Sequence, residues 1–251
     1  MSNRTTIMLQ KIKQLININN EISNIKVRLD YADKQISESI WANIYHDSIR
    51  GFSHLETLPL NIGRWAGNYS FFYILNRVLK DFQPKNILEL GLGESSKFIS
   101  TYIQNYLIDS QHVIAEHDIN WINVFKRNFK LSDNSKIIEL NLETKNIHGH
   151  EVISYNRFCL NFNEVYDFII IDAPFGSSRF SRCDIVEYIA HKDFLNDFVI
   201  ILDDTDRLGE KDTLKIIIEL LKEKRDDIFQ QTYSGSKSST LISNIRFLTS
   251  L

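Results

Sequence analysis

The sequence is poor in the residues that cross-link or interrupt a chain. Its 251 residues include two cysteines, three prolines and nine glycines, and the net charge is only −3. Cys159 and Cys183 form no disulfide framework and lie in no metal-ligand spacing, which indicates a reducing compartment. The 29 basic residues are spread along the chain, so we expect no nucleic-acid partner.

Long apolar runs are also missing. No window approaches the roughly 18 apolar residues of a membrane span, and the start, MSNRTTIMLQKIKQ, lacks the apolar centre of a signal peptide. We therefore expect a soluble, cytoplasmic protein without a membrane partner. A hydrophobic content of 43% suffices for a full core in a chain of this length.

Residues 1–50 contain neither glycine nor proline and predict a helical extension ahead of a main domain at 51–251. Apolar residues recur there in alternating steps of three and four, interrupted by Lys11, as in a coiled coil. They are Met8, Leu15, Ile18, Ile22, Ile25, Leu29, Ala32 and Ile36. Two interpretations stay open: the helix joins copies of the chain into a homo-oligomer, or it folds back on its own domain.

Strands and helices alternate through the main domain. Strand patterns cover Asn86–Leu90, His112–Glu116, Lys136–Leu142, Tyr166–Asp172 and Phe198–Leu202, and two further extended runs, Ile228–Tyr233 and Thr240–Phe247, flank the turn-rich SGSKSS. This order predicts an α/β fold: a Rossmann-like, doubly wound, mostly parallel sheet with an antiparallel C-terminal strand pair, preceded by the helical extension.

The stretch NILELGLGESSKFIS places Gly91 and Gly93 at a strand-to-helix turn. Missing side chains there let backbone approach a ligand, and the first amides of the next helix point outward unpaired. A tight turn alone also explains the glycines. The dinucleotide pattern of a dehydrogenase needs a third glycine where this chain has Ser96, which makes that a weaker alternative.

Acidic residues follow or end the predicted strands. In an open α/β sheet the ligand lies at the carboxyl ends of the strands, so these acids gather at one edge. Each can cap a helix or a turn, but carboxylates crowded together raise one another's pKa unless a cation compensates them. They are Glu89, Glu116, Asp118, Asp172, Asp203 and Asp204.

At these positions the sequence resembles the class I S-adenosylmethionine-dependent methyltransferases. ILELGLGESS is similar to the first motif of that family, VIAEHD to its second and YDFIIIDAP to its fourth-strand motif. The resemblance implies that Gly91, Gly93 and Ser95 receive the amino-acid part of the cofactor, with Glu89 near its ammonium. It departs at Ser95, where many members have a third glycine.

The resemblance also assigns the acids after the second and later strands. Glu116 is the choice for the residue that accepts both ribose hydroxyls. Asp118, two residues later, is the alternative, but capping preference favours it as the start of the next helix. Asp172 with Asp203 and Asp204 is similar to the arrangement of cation-dependent O-methyltransferases, where such acids hold a divalent ion such as Mg²⁺. The ion would lower the pKa of the acceptor hydroxyl.

The catalytic candidates are Asp172 and Asp204. Asp172 is also a candidate for contact with the cofactor. Such enzymes have a lysine shortly after the first acid, where this chain has Arg179 and Arg182, candidates for an anionic substrate. DAPFGSSRFSR and LDDTDR also resemble sugar-directed methyltransferases. We therefore expect methylation of a sugar or small-molecule hydroxyl. Transfer to nitrogen stays open, and the arginines could instead form internal ion pairs with the acids.

A non-catalytic cofactor-binding or scaffold module, assembled through the N-terminal helix, is the alternative from a different functional class. Two further motifs carry less weight. His148 and His150 in NIHGH lack a matching ligand set and predict a surface loop. The stretch GRWAGNYS, with Trp65, Asn68 and Tyr69, either lines the cofactor mouth or packs in the core.

Overall fold

The computed structural model of the protein describes residues 2–63, 66–162 and 164–250, with side chains from residue 16 onward. Its strands are β1 (Asn86–Leu90), β2 (Gln111–Glu116), β3 (Ser135–Glu139), β4 (Leu142–Ile147), β5 (His150–Tyr155), β6 (Phe168–Ile171), β7 (Val199–Leu202), β8 (Phe229–Ser234) and β9 (Ser238–Ser243). Its helices are α1 (Ser2–Ser48), α2 (Ser53–Glu56), α3 (Tyr69–Arg77), α4 (Glu94–Tyr106), α5 (Ile119–Asn128), α6 (Phe158–Asn161), α7 (Asp184–His191) and α8 (Leu208–Lys224).

Seven strands form one sheet in the order β3-β2-β1-β6-β7-β9-β8. The first five are parallel, while β9 runs antiparallel to both β7 and β8. This confirms the predicted doubly wound, mostly parallel sheet with an antiparallel C-terminal pair. The strand order reverses between β1 and β6, and ligands of such sheets bind beyond the carboxyl ends at that reversal.

The neighbouring central strands β6 and β7 are apolar along their whole length. All four residues of β6, FIII, and all four of β7, VIIL, are buried, as expected for parallel strands covered by helices on both faces. One core cluster packs α3 and α4 against one face, and another packs α7 and α8 against the other. These rigid central strands fix the positions of the acids that follow them.

A separate two-stranded sheet, β4 with β5, was missed by the sequence analysis. Its residues alternate only weakly in polarity. The predicted strand Lys136–Leu142 also included Leu142, which is the first residue of β4. His148 lies in its turn with φ +50°, and His150 begins β5, so the region is a hairpin and not a simple loop. Buried Asp184 anchors β5, accepting from Ser154 Oγ at 2.5 Å and Tyr155 N at 2.6 Å.

The N-terminal helix α1 has two parts with different surroundings. Near its C-terminal end Tyr45 and Ile49 are buried in the first core cluster, and Trp41 Nε1 donates to the carbonyl of Ser234 at 2.9 Å. Residues 16–36 are exposed throughout. In the part of the chain that the structure describes, no helix is both long and apolar enough to cross a membrane.

Candidate active site

The two glycines after β1 differ in what the fold requires of them. Gly91 has φ +108°, and a Cβ there would lie 3.0 Å from the Cβ of Ala173. The turn therefore needs glycine at this position. Gly93 has extended backbone with φ −164°, and a Cβ there would meet no described atom within 4 Å. Its missing side chain leaves open space next to the first, unpaired amides of α4.

Glu89 lies buried in β1 directly under this turn. Its Oε1 accepts a hydrogen bond from Ser95 Oγ at 2.5 Å, and its Oε2 lies 2.9 Å from Nε2 of His112. Ser95, predicted beside the cofactor, thus directs its hydroxyl to Glu89. His112, in β2, was not singled out from the sequence, because its partner becomes visible only when β1 and β2 pair.

Glu116 at the end of β2 is held by backbone amides. Its Oε1 accepts from the amides of His117 and Asp118 at 2.7 and 3.0 Å, and its Oε2 accepts from that of Leu92 at 3.0 Å. Both oxygens are therefore partly used, and only their remaining lone pairs are available to a ribose. Asp118 caps α5, accepting from Asn120 N at 2.8 Å, which confirms the role expected for it.

The acids after β6 and β7 meet at the same edge of the sheet. Asp172, Asp203 and Asp204 each offer a carboxylate oxygen within 4.8 Å of the others. Asp203 and Asp204 are buried, whereas the side chain of Asp172 is 24% exposed. Asp172 is therefore the member of this group that an acceptor can reach.

Arg182 supplies the first compensating charge. Its Nη2 lies 3.1 Å from Oδ1 of Asp172 and 2.9 Å from Oδ2 of Asp204, and its Nη1 donates to the carbonyl of Asp203 at 3.1 Å. Arg182 and Asp204 have left-handed backbone, with φ +59° and +60°. Strain of this kind costs about 1–3 kcal/mol per residue and persists where the surroundings enforce it, commonly at functional sites.

Lys237 supplies a second charge that the sequence analysis missed. Its Nζ lies 2.7 Å from Oδ2 of Asp203 and 3.5 Å from Oδ1 of Asp204, and Ser239 Oγ donates to Oδ1 of Asp203 at 2.5 Å. Lys237 lies in the turn between β8 and β9. From the sequence, this stretch predicted a turn and gave no sign of a functional residue. Because β9 runs antiparallel to β7, its first residues must lie beside the carboxyl end of β7.

The N-terminal helix fixes the turn that carries Lys237. Glu38 of α1 accepts from the amide of Ser236 at 2.7 Å and from Nδ2 of Asn68 at 3.1 Å. A Cβ at Gly235 would collide with the Glu38 carboxylate, so glycine allows this close approach. The last turns of α1 thus belong to the structure that supports the acid group.

The ionisation of the acids follows from these contacts. Burial raises the pKa of Asp172 to about 7, against the opposing effect of Arg182 and with a further increase from Asp203. Burial also acts to raise the pKa of Asp204, but Lys237, Arg182 and Arg207 outweigh it and hold that pKa below its usual value. Asp204 is therefore a fixed anion, while Asp172 is suited to exchange a proton near neutral pH.

These residues do not fit an added divalent cation. Three carboxylates are a suitable donor set for Mg²⁺ by their chemistry. However, Arg182 and Lys237 already contact them, and buried charges of like sign repel strongly. Arg182 and Lys237 therefore supply the positive charge that the crowded acids require, and the magnesium site stays a prediction without support from this geometry.

The remaining predicted residues lie apart from this group or are buried. Arg179 forms a two-point ion pair with Asp212, at 2.5 and 3.0 Å, so it and Arg182 do not form one substrate site here. Asn68 is buried, caps α3 and donates to the carbonyl of Lys237 at 3.0 Å. Trp65 lies outside the described residues.

Comparison with known proteins gives matches to solved structures alone. No protein-family model and no curated protein matches the chain. It is similar to a provisionally assigned O-methyltransferase from Klebsiella pneumoniae, with 16% identity, TM-score 0.47 and coverage of 81% of this chain and 88% of that one. An O-methyltransferase from Bacillus cereus in complex with S-adenosylhomocysteine has 14% identity, TM-score 0.46 and coverage of 80% and 90%. The S-adenosylhomocysteine-bound Podospora anserina methyltransferase PaMTH1 has 14% identity, TM-score 0.42 and coverage of 80% and 86%. Similarities at these values assign no function to this chain.

Proposed function

We propose that the chain is an S-adenosylmethionine-dependent methyltransferase. The proposal rests on the surroundings of Gly93 at the start of α4. Neither its backbone φ nor a neighbouring protein atom requires a glycine there, and the position of its missing side chain is open space. Such a helix start favours an anionic group, and the cofactor's methionine part carries a carboxylate. The motif resemblance, which implies that the amino-acid part of the cofactor lies at this same turn, supports the proposal.

The residues fit the cofactor in charge as well as in space. Glu89 and Glu116 lie on either side of the glycine turn, at the ends of neighbouring parallel strands. Glu116 Oε2 accepts one amide and keeps a lone pair for a hydroxyl, while Glu89 holds its carboxyl group under the turn, on the side assigned to the ammonium. The bound cofactor would supply an electrophilic methyl group, and the protein would hold the acceptor in line with it.

Asp172 is the residue we assign to proton removal from the acceptor. It directly precedes Ala173, and the backbone of both residues lies against Gly91, so Asp172 follows β6 beside the glycine turn. It is the reachable member of the acid group and contacts Arg182 Nη2 at 3.1 Å. Arg182, Lys237 and Asp204 keep fixed charges around it, so the proton would move to Asp172 and not to its neighbours.

A sugar or other small-molecule hydroxyl is the proposed acceptor. A carboxylate whose pKa lies near 7 can receive a proton as the oxygen attacks the methyl group. Arg207, which contacts Asp204 at 3.0 Å and is largely exposed, gives the same edge a positive group for a polar acceptor. Assays with matched hydroxyl and amine acceptors distinguish transfer to oxygen from transfer to nitrogen.

We expect turnover to survive removal of divalent metal. Because Arg182 and Lys237 already contact the carboxylates and offset most of their charge, enzyme treated with chelator should keep its activity, and Mg²⁺ should not raise it. The measurement is methyl transfer from labelled cofactor before and after chelation. Activity that disappears with chelator and returns with Mg²⁺ would instead establish the cation-dependent mechanism.

A further inference from the structure

The exposed part of α1 has no partner among the described residues of its own chain. Side chains 16–36 all face solvent, and contact with the main domain begins near Glu38. At about 1.5 Å per residue this stretch is roughly 30 Å long. Within the described residues the alternative that the helix folds back on its own domain therefore applies only to its last turns.

One stripe of this stretch, here called the seam, is apolar. Its members are Ile18, Ile22, Ile25, Leu29, Ala32 and Ile36, spaced by alternating steps of three and four. Ile25 is 55% exposed and Leu29 is 64% exposed, although aliphatic side chains of this size favour burial. A repeat of 3.5 residues is the spacing at which two helices supercoil and cover each other. In sequence Met8 and Leu15 continue the repeat, but the structure does not describe their side chains.

The charges beside the seam complement a second copy. Glu21 and Arg28 flank it on one side, and Lys26 and Asp33 flank it on the other. In a parallel, in-register pair each residue of the first flank faces the residue five positions later in the other copy. Glu21 then faces Lys26, and Arg28 faces Asp33. Both of these contacts join opposite charges, which supports this chain itself as the partner.

We propose that the seam of α1 joins a second copy of this chain in a parallel, in-register coiled coil. This proposal does not depend on the catalytic function. It assigns the exposed part of α1 to assembly, while the last turns of the same helix hold the turn that carries Lys237. In such a dimer the candidate active sites of the two copies would lie at the same end of the coiled coil.

Two aspartate substitutions test the seam. Ile25 belongs to the seam, whereas Val27, which is 66% exposed, lies on the opposite side of the helix. Multi-angle light scattering should give twice the chain mass of 29.4 kDa for the wild type and for Val27→Asp, and the single mass for Ile25→Asp. Circular dichroism verifies that each variant is folded. A monomeric wild type, or equal behaviour of the two variants, overturns the proposal.

Charge exchange tests the direction of the helices. Glu21→Lys and Lys26→Glu should each weaken association several-fold, because each places like charges opposite each other in the parallel pair. The double variant restores both attractions and should return the wild-type dissociation constant. In an antiparallel pair Glu21 and Lys26 have other partners, so a double variant weaker than either single one contradicts the parallel arrangement.

Cross-linking gives a direct readout of register. Ala32→Cys places thiols opposite each other in the parallel coil and should give a disulfide-linked dimer under mild oxidation. Val27→Cys is the matched control on the outer side. The wild-type protein shows how much cross-linking comes from its own thiols, Cys159 and Cys183. An Ala32→Cys protein that cross-links no better than Val27→Cys excludes the in-register coil.

Discussion

Asp172→Asn should lower methyl transfer by about 100- to 10,000-fold, the usual contribution of a positioned general base. Asparagine keeps the shape of the side chain but accepts no proton at neutral pH. The cofactor lies over β1 and β2 in this account, so the affinity for S-adenosylhomocysteine should stay near that of the wild type. The measurements are single-turnover rates with labelled cofactor and calorimetry with S-adenosylhomocysteine.

The pH dependence separates proton transfer from a structural role of Asp172. The deprotonated form is the active one, and burial raises the pKa of this carboxyl to about 7. Turnover should therefore increase about tenfold per pH unit below that value and level off above it. Asp197→Asn is the matched control and should behave as wild type, because this exposed carboxylate lies just before β7, at the end of the strand opposite Asp203, and accepts from Asn244 Nδ2. Turnover within twofold of wild type in Asp172→Asn would remove the base assignment.

Gly93→Thr should lower the affinity for S-adenosylhomocysteine by about 10- to 100-fold without unfolding the protein. Threonine is an acceptable residue at the start of a helix and tolerates extended backbone. Its side chain would fill the space that the account assigns to the cofactor, and overfilling such a space costs about 1–3 kcal/mol. Calorimetry measures the affinity, and thermal unfolding monitors the fold.

Gly91→Ala is the comparison variant for this prediction. The positive φ and the approach of Ala173 at 3.0 Å make a Cβ unfavourable there in the free protein. It should lower the melting temperature by several degrees, whereas Gly93→Thr should leave it nearly unchanged. Equal cofactor affinity in wild type and Gly93→Thr would show that the open space serves another purpose.

The sequence predicts the sheet well because its strands carry a strong signal. Unbroken apolar runs such as FIII and VIIL permit few arrangements other than buried parallel strands. The turn SGSKSS between two extended runs likewise predicts the antiparallel pair. The β4–β5 hairpin was missed because its polar, weakly alternating residues resemble a loop, and its main anchor, Asp184, lies about 30 residues further along the chain.

The acids of the candidate site were predictable from the sequence, and internal ion pairs were one of two open interpretations for Arg182, but Lys237 was not predictable. Strand ends collect at one edge of a parallel sheet, so Asp172, Asp203 and Asp204 could be grouped from strand order alone. Lys237 joins them through an antiparallel crossing from a distant part of the chain, and Arg182 through a loop with unusual backbone. Spacing in sequence does not show which of the acids Arg182 or Lys237 contacts. This is why the acids predicted a metal ion that the folded charges do not favour.

The central claim is that the glycine turn after β1 binds S-adenosylmethionine. Titration calorimetry of the full chain with S-adenosylhomocysteine tests it most directly, in protein shown to be folded by circular dichroism. The account predicts saturable binding at one site per chain, weakened in Gly93→Thr. Absence of binding in the folded wild-type protein would contradict the methyltransferase proposal.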